Sequence, residues 1–343
     1  MSGQSSGTAM ASLPGGFRAF VAETRGDAVD RGIRTLTLDD LSAGDVVVRV
    51  AWSDVNYKDG LATIAGGKVA RISPLVPGID IAGTVVASED PAIPVGAAVV
   101  AHGYDIGVSH HGGYAEYARV PAGWVVPLPP GLTAREAAIV GTAGYTAAAS
   151  VAALEARGLV PGAGPVLVTG ASGGVGGTAV RILVARGHEV WAATGKPDVA
   201  VRLRALGVAG ILGREEVTAE STRPLEQERW AAAVDCVGST TLPYILRTLR
   251  QHGAVAASGN TSGPSLATTV FPFILRGVAL LGIDSAHVPI DERRALWARI
   301  ATDLRPAGLG DDVTEVDLDG LEPALDAILA GRAEGRWVVR VGG

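Results

Sequence analysis

The chain has 343 residues, 48% of them hydrophobic, and a formal net charge of −6. That length predicts two domains, with a core built from alanine, valine and leucine because aromatics supply only 5% of the residues. The absence of any block of like charge argues against nucleic acid as a partner. The single cysteine, Cys236, rules out an intramolecular disulfide and a cysteine-rich zinc lobe.

In chain order, the opening MSGQSSGTAM lacks the basic end and apolar centre of a secretory signal, and residues 1–16 read as a disordered tail. Short strands follow in FRAFVAE, DVVVRVAW, GIDIAGTVVA, AAVVAHG and YAEYARV, separated by Gly, Pro and Asp. The stretch 137–154 carries no charge, but its strong aliphatics are only Ile139, Val140, Val151 and Leu154. Alanine, glycine and threonine make up most of the rest, which predicts a buried helix near a domain boundary rather than a membrane span. The whole reads as a soluble cytoplasmic protein with no membrane or nucleic-acid partner.

The next segment carries the chemistry. GPVLVTG reads as a buried strand, and Gly170, Gly173 and Gly176 follow at a spacing of three in VTGASGGVGGTAV. Val180, Leu183 and Val184 have helical spacing, Gly187 supplies a stop, and HEVWAAT is a second strand. Strand, glycine turn, helix and strand form the βαβ unit of a dinucleotide site. There the glycines let backbone N–H groups approach a pyrophosphate, which also faces the positive end of the helix. Ser172, Gly173, Gly174 and Val175 are the predicted cradle.

A site that prefers NAD places a carboxylate near the tip of the second strand, to bind the ribose 2′-hydroxyl. Here the tip is Thr194, Gly195 and Lys196. A hydroxyl, an amide and an ammonium attract a 2′-phosphate that a carboxylate would repel, so the expected cofactor is NADPH, with Arg214 in reach of the same phosphate. Further on, WAAAVDCVG, LPYILRTLRQ and GAVAASGN read as strand, helix and strand, the last ending in Asn260. DERRALWARIATDL and LEPALDAILAG are helices, and RWVVRV is a final strand that rejoins the first domain.

The stretches SDVNYKDGLA (53–62), PLVPGIDIAGTV (74–85), HGGYAEYARV (111–120), GTAGYTA (141–147), VTGASGGVG (168–176) and PFILRGVALLGIDS (272–285) together resemble the medium-chain dehydrogenase/reductase superfamily. The combination of NYKD, PGID and PFILR is similar to its acrylyl-CoA reductase branch, also labelled quinone oxidoreductase-like. The resemblance implies an α/β protein. A GroES-like β-barrel catalytic domain would comprise residues 17–140 and 285–343, and a Rossmann coenzyme domain with a doubly wound parallel sheet residues 141–284. It places substrate in the cleft between them and implies that Asn260, Ile274 and Ser285 also touch the cofactor. The zinc ligands of the alcohol-dehydrogenase relatives are missing. His102, His110 and His111 have no cysteine beside them and read as loop histidines.

Without zinc, alcohol oxidation lacks its Lewis acid, and hydride delivery to a conjugated enoyl thioester fits better. The implied reaction is NADPH-dependent reduction of a short 2-enoyl-CoA, acrylyl-CoA first. An NADPH:quinone reductase and a non-catalytic NADPH-binding relative remain open. The resemblance sets Tyr57 in the NYKD turn at the nicotinamide, where its hydroxyl orients the amide or ribose, or donates to the thioester oxygen. The bland alternative is a packing tyrosine. Asn56 is expected to fix the turn and Asp59 to pair with Lys58. Lys68 and Arg71 are candidates for CoA phosphates. Arg276 is open between the cofactor cleft and a structural salt bridge. Cys236 reads as a buried strand residue rather than a nucleophile. The apolar 272–285 stretch suits an intersubunit strand in a homodimer.

Overall fold

Residues 15–342 are described by the structure, a computed structural model, so the tail reading for residues 1–14 lies outside the described residues. β1 (Phe17–Arg25) and β2 (Ala28–Leu36) form an antiparallel hairpin. β3 (Val46–Asp54), the short helix α1 (Tyr57–Ala62), β4 (Asp80–Ser88), β5 (Ala98–His102), β6 (Tyr117–Val120) and β7 (Val125–Pro127) follow. Their strands pair antiparallel, β4 between β3 and β5, with β6 on β3 and β7 on β5. Val46, Val48 and Val50 of β3 alternate inward and meet Phe20, Ile81, Val85 and Val99 in one core.

Helix α2 (Ala134–Ala156) starts at Thr133, whose hydroxyl accepts from the Glu136 amide at 3.2 Å while the Glu136 carboxylate accepts from the Thr133 amide at 2.9 Å. It is long and apolar enough to cross a membrane, yet 78% of its most apolar window is buried inside the protein. Its alanine-rich faces explain this, because they pack against both the antiparallel sheet (Ala82, Val100) and the sheet that follows (Val166, Val168, Val234). At Gly141 the backbone leaves helical geometry, with φ 49° and ψ −164°.

Strand and helix then alternate through β8 (Val166–Thr169), α3 (Gly174–Ala185), β9 (Val190–Ala193), α4 (Ala200–Ala205), β10 (Gly210–Leu212), α5 (Arg214–Val217), β11 (Trp230–Asp235), α6 (Thr241–Thr248), β12 (Leu249–Ala257), α7 (Phe271–Arg276) and β13 (Ala279–Gly282). The six strands are parallel, in the order β10-β9-β8-β11-β12-β13. This is the doubly wound order of dinucleotide-binding domains, and the order reverses between β8 and β11, where such sheets hold their ligand. The chain ends with α8 (Ile290–Ile300), β14 (Val313–Asp317), α9 (Leu321–Leu329) and β15 (Arg336–Arg340). β15 runs parallel to β14 and antiparallel to β3, with Val338 opposite Asp54, so the C-terminus completes the first sheet.

Three local readings of the sequence change. The NYKD turn is the first turn of α1. The predicted helix LPYILRTLRQ stops at Thr248, because Leu249 already belongs to β12. PFILRGVALLGIDS is not one strand. Pro272 sits in the first turn of α7, left-handed Gly277 (φ 60°) ends that helix, and only Ala279–Gly282 extends as the edge of the parallel sheet.

Candidate coenzyme and substrate cleft

The loop between β8 and α3 forms the floor of a cleft of about 470 Å³ between the two large sheets. Gly173 donates to the Gly170 carbonyl at 2.9 Å, closing the turn. The first-turn N–H groups of α3 have no intrahelical acceptors and face outward at the positive end of the helix. A Cβ on Gly174 would meet Nη1 of Arg336 at 3.0 Å and Ala143 at 3.1 Å, so a side chain there would fill the seat that a phosphate needs. The loop therefore fits a nucleotide pyrophosphate.

Tyr57, Ser172, Gly173, Gly174, Val175, Thr194, Gly195, Lys196, Arg214 and Asn260 all line this cleft. Tyr57 stands at the first position of α1, opposite the glycine loop. It is 52% exposed, and its hydroxyl makes no hydrogen bond among the described residues. At the tip of β9, the Thr194 hydroxyl accepts from the Lys196 amide at 3.1 Å. The Lys196 ammonium is not free. It donates to the Gly331 carbonyl at 2.7 Å and the Ala333 carbonyl at 3.3 Å, in the turn between α9 and β15. Arg214 lies over Gly195, where an added Cβ would meet its Nη2 at 2.8 Å, and its guanidinium has no acidic partner among the described residues.

Other candidates fall elsewhere. Ile274 is 67% exposed on α7, and Ser285 uses its carbonyl to accept from Arg293 at 3.1 Å; neither lines the cleft. Lys68 and Arg71 are exposed on the loop after α1, also outside it. Arg276 resolves to the structural alternative. Its Nη1 donates to the carbonyls of Arg247 (2.9 Å) and Leu249 (3.1 Å), and its Nε lies 3.6 Å from Glu228. Cys236 lines the cleft, but burial pushes its thiol up to about 12, so it is protonated at neutral pH. His110 and His111 are buried against the carbonyls of Arg119 (2.7 Å) and Asp40 (3.1 Å), and burial lowers the pKa of both.

Behind Tyr57 lies a group of buried polar side chains that sequence reasoning missed. Asn56 does fix the start of α1, but through side chains, donating to Asp54 at 2.7 Å and Asp80 at 2.8 Å. Asp59 does not pair with Lys58. Its carboxylate accepts from the amides of Asn56 and Ile79, each at 2.9 Å. Burial pushes the Asp59 carboxyl up to about 7, against the pull of those amides. Burial, then the charge of Asp80, push Asp54 up too, while Arg336 opposes them from an ion pair with it. Thr142 donates to Asp80 at 2.9 Å. His102, fully buried against Arg293 and Trp297, has a pKa well below its ordinary value, first through burial and then through the Arg293 charge, so it is neutral. SDVN and PGID display these acids. Nothing in a linear sequence joins Asp54 to Arg336, which lies in the last strand.

Among the described residues, no group of three or more His, Cys, Asp and Glu is arranged to hold a metal ion. Residues 42–130 match the model of the alcohol dehydrogenase GroES-like domain, and residues 174–302 match that of the zinc-binding dehydrogenases. The second match begins at the glycine cradle and covers most of the parallel sheet. An antiparallel domain of the first kind joined to this sheet by a shared helix defines a medium-chain dehydrogenase/reductase.

Within that superfamily, the chain belongs to the quinone oxidoreductase-like branch that includes the acrylyl-CoA reductases. It is 49% identical to acrylyl-CoA reductase AcuI of Ruegeria pomeroyi over 328 residues, 95% of this chain and 99% of the relative. The crystal structure of Bacillus subtilis YhfP with NAD bound is 47% identical, covers 95% of this chain and 99% of that one, and superposes with a TM-score of 0.93. The crystal structure of Escherichia coli K-12 YhdH with bound NADPH is 43% identical, covers 94% and 100%, and has a TM-score of 0.91.

Proposed function

We propose that the chain uses NADPH to reduce the carbon–carbon double bond of a short 2-enoyl-CoA, converting acrylyl-CoA to propanoyl-CoA, with no metal ion. The observation that carries this reading is the position of Tyr57. Its free hydroxyl faces the glycine cradle across one cleft, in a chain 49% identical to an acrylyl-CoA reductase. NADPH bound in the cradle supplies a hydride to the β-carbon of the substrate. Charge then moves onto the thioester oxygen, and the α-carbon takes a proton. The Tyr57 hydroxyl donates to that oxygen or holds the nicotinamide end in place. The sheet walls fix the distance between the two reactants. Lys68 and Arg71 are left as candidates for CoA phosphates only if their loop folds over the cleft mouth. YhfP bears a quinone oxidoreductase name, which favours quinone reduction as the second reading.

Tyr57→Phe tests the reading, because it removes the hydroxyl and keeps the ring. Turnover of acrylyl-CoA should fall roughly 10- to 100-fold with an unchanged melting temperature, as for loss of a contact made mainly in the transition state. A rise only in the Michaelis constant for NADPH would reduce Tyr57 to a cofactor-positioning role. Unchanged kinetics would make it a packing residue.

The β9 tip supports preference for NADPH. Arg214 is the unengaged cation there, whereas Lys196 is held by two carbonyls. Arg214→Ala is therefore expected to raise the Michaelis constant for NADPH roughly 10-fold and leave that for NADH nearly unchanged, the size of one charge-assisted hydrogen bond. Lys196→Ala should have the smaller selective effect. Equal changes for both nucleotides would remove the assignment.

We also propose the domain division of residues 17–140 with 285–343, and 141–284, supported by the sheet memberships and the Gly141 kink. The edge strand β13, with Phe271, Ile274, Leu275 and Leu280 exposed beside it, supports a homodimer through this edge. A light-scattering mass near 34.8 kDa, the mass of one chain, would refute it. The buried packing of α2 is consistent with a cytoplasmic location, which cell fractionation checks.

A further inference from the structure

We propose that Arg336, on the last strand of the antiparallel sheet, donates from Nη1 to the pyrophosphate of the nucleotide and so completes the cradle begun by α3. The proposal rests on the nucleotide reading above.

The guanidinium offers five N–H donors in a rigid plane. Nε donates to the Ile139 carbonyl at 2.8 Å. Nη2 faces the Asp54 carboxylate and, at 3.5 Å, the Ala138 carbonyl. These anchors fix the plane, and packing thereby sets the direction of Nη1. The side chain is 11% exposed, and Nη1 has no hydrogen-bond partner among the described residues. It lies 3.0 Å from the point where a Cβ of Gly174 would stand, at the first position of α3. A positive donor thus reaches from one sheet into the anion seat of the other.

No nearby acid claims Nη1. Asp54 is engaged through Nη2. Asp312, in the small neighbouring pocket, pairs with Arg181 at 3.0 Å and lies 3.9 Å from Arg202. Neutralising Asp54 alone would need only a point charge, which lysine supplies. The fork does more, because it holds Asp54 and the α2 carbonyls with one edge and presents the other to the cradle. The ligand chemistry that suits a lone N–H beside a helix N-terminus is a phosphate oxygen.

The test is calorimetric binding to the full-length chain, with no turnover required. Three ligands are compared: NADPH, 2′-phospho-ADP-ribose, which keeps the pyrophosphate, and adenosine 2′,5′-bisphosphate, which has only one 5′-phosphate. Arg336→Met should weaken the first two roughly 10- to 100-fold and the third less than about 3-fold. Asp54→Asn, which removes the ion pair but keeps the fork, should weaken all three by less than Arg336→Met weakens NADPH. If the methionine variant does not fold, Arg336→Lys keeps a charge on Asp54 and should show the same selectivity for the pyrophosphate ligands. Equal losses for all three ligands, or none, would overturn the proposal. Failure of the unmodified chain to bind any of them would instead overturn the nucleotide reading.

Discussion

Gly141→Ala should destabilise the protein by about 4 kcal/mol or more, although it adds one methyl group. Two independent effects combine. The backbone at φ 49°, ψ −164° lies where residues with a Cβ are strained by about 1–3 kcal/mol. The new methyl would also point at the Asp54 carboxylate and come within 2.8 Å of Nη2 of Arg336, so the buried ion pair must open. Breaking a buried pair costs about 3–5 kcal/mol when a charge is left without its partner. Urea unfolding followed by circular dichroism measures the change. Ala143→Gly, on the same helix but beyond the kink, is the control for simple loss of helix propensity, at about 1 kcal/mol. A Gly141→Ala protein as stable as the parent would mean that α2 runs straight and that the Asp54–Arg336 pair is not fixed there.

Gly176→Val is expected to abolish measurable NADPH binding. A Cβ here would strike the Gly170 carbonyl, with the Gly170 carbonyl carbon at 2.7 Å and the Thr169 oxygen at 2.9 Å. All of these are backbone atoms that cannot rotate away. The helix must therefore lift off β8, which moves the first-turn N–H groups and the Gly173–Gly170 turn together. Loss of several donors at once exceeds the loss of any one cation, so affinity should fall by more than about 1000-fold. Gly177→Ala is the matched control, because its Cβ would meet the Ala171 oxygen at 3.3 Å, a neighbour that can give. Normal binding by Gly176→Val would show that the cradle does not rest on β8.

These two glycines mark what the sequence discloses. Gly176 was legible because its chemistry is local. A strand, a turn and a helix written in consecutive residues leave a periodic trace, and the same locality exposed the Thr194–Gly195–Lys196 tip. Gly141 was invisible as a hinge, because its requirement comes from Asp54 and Arg336, which are distant in sequence and meet only after β15 pairs with β3. Asp59 shows the same limit at shorter range. Its neighbour Lys58 suggested a surface ion pair, but helix α1 turns the carboxylate inward onto the Asn56 and Ile79 amides. Lys196 was recognisable as a cation at the strand tip. That its ammonium bonds two carbonyls of the α9–β15 turn depends on the closure of the two sheets. Ile274 and Ser285 were carried over from a family pattern, and in the single chain neither reaches the cleft.

The central claim is that this cleft delivers hydride from NADPH to the β-carbon of an enoyl thioester. The most direct measurement uses NADPH deuterated at the transferable C4 position, with acrylyl-CoA, after dialysis of the enzyme against EDTA, and locates the label in the product by mass spectrometry and NMR. The account predicts propanoyl-CoA with one deuterium at the β-carbon and a solvent proton at the α-carbon, formed at an undiminished rate after dialysis. Deuterium at any other carbon, a rate restored only by added zinc, or NADPH consumption with a quinone but not with acrylyl-CoA would contradict it.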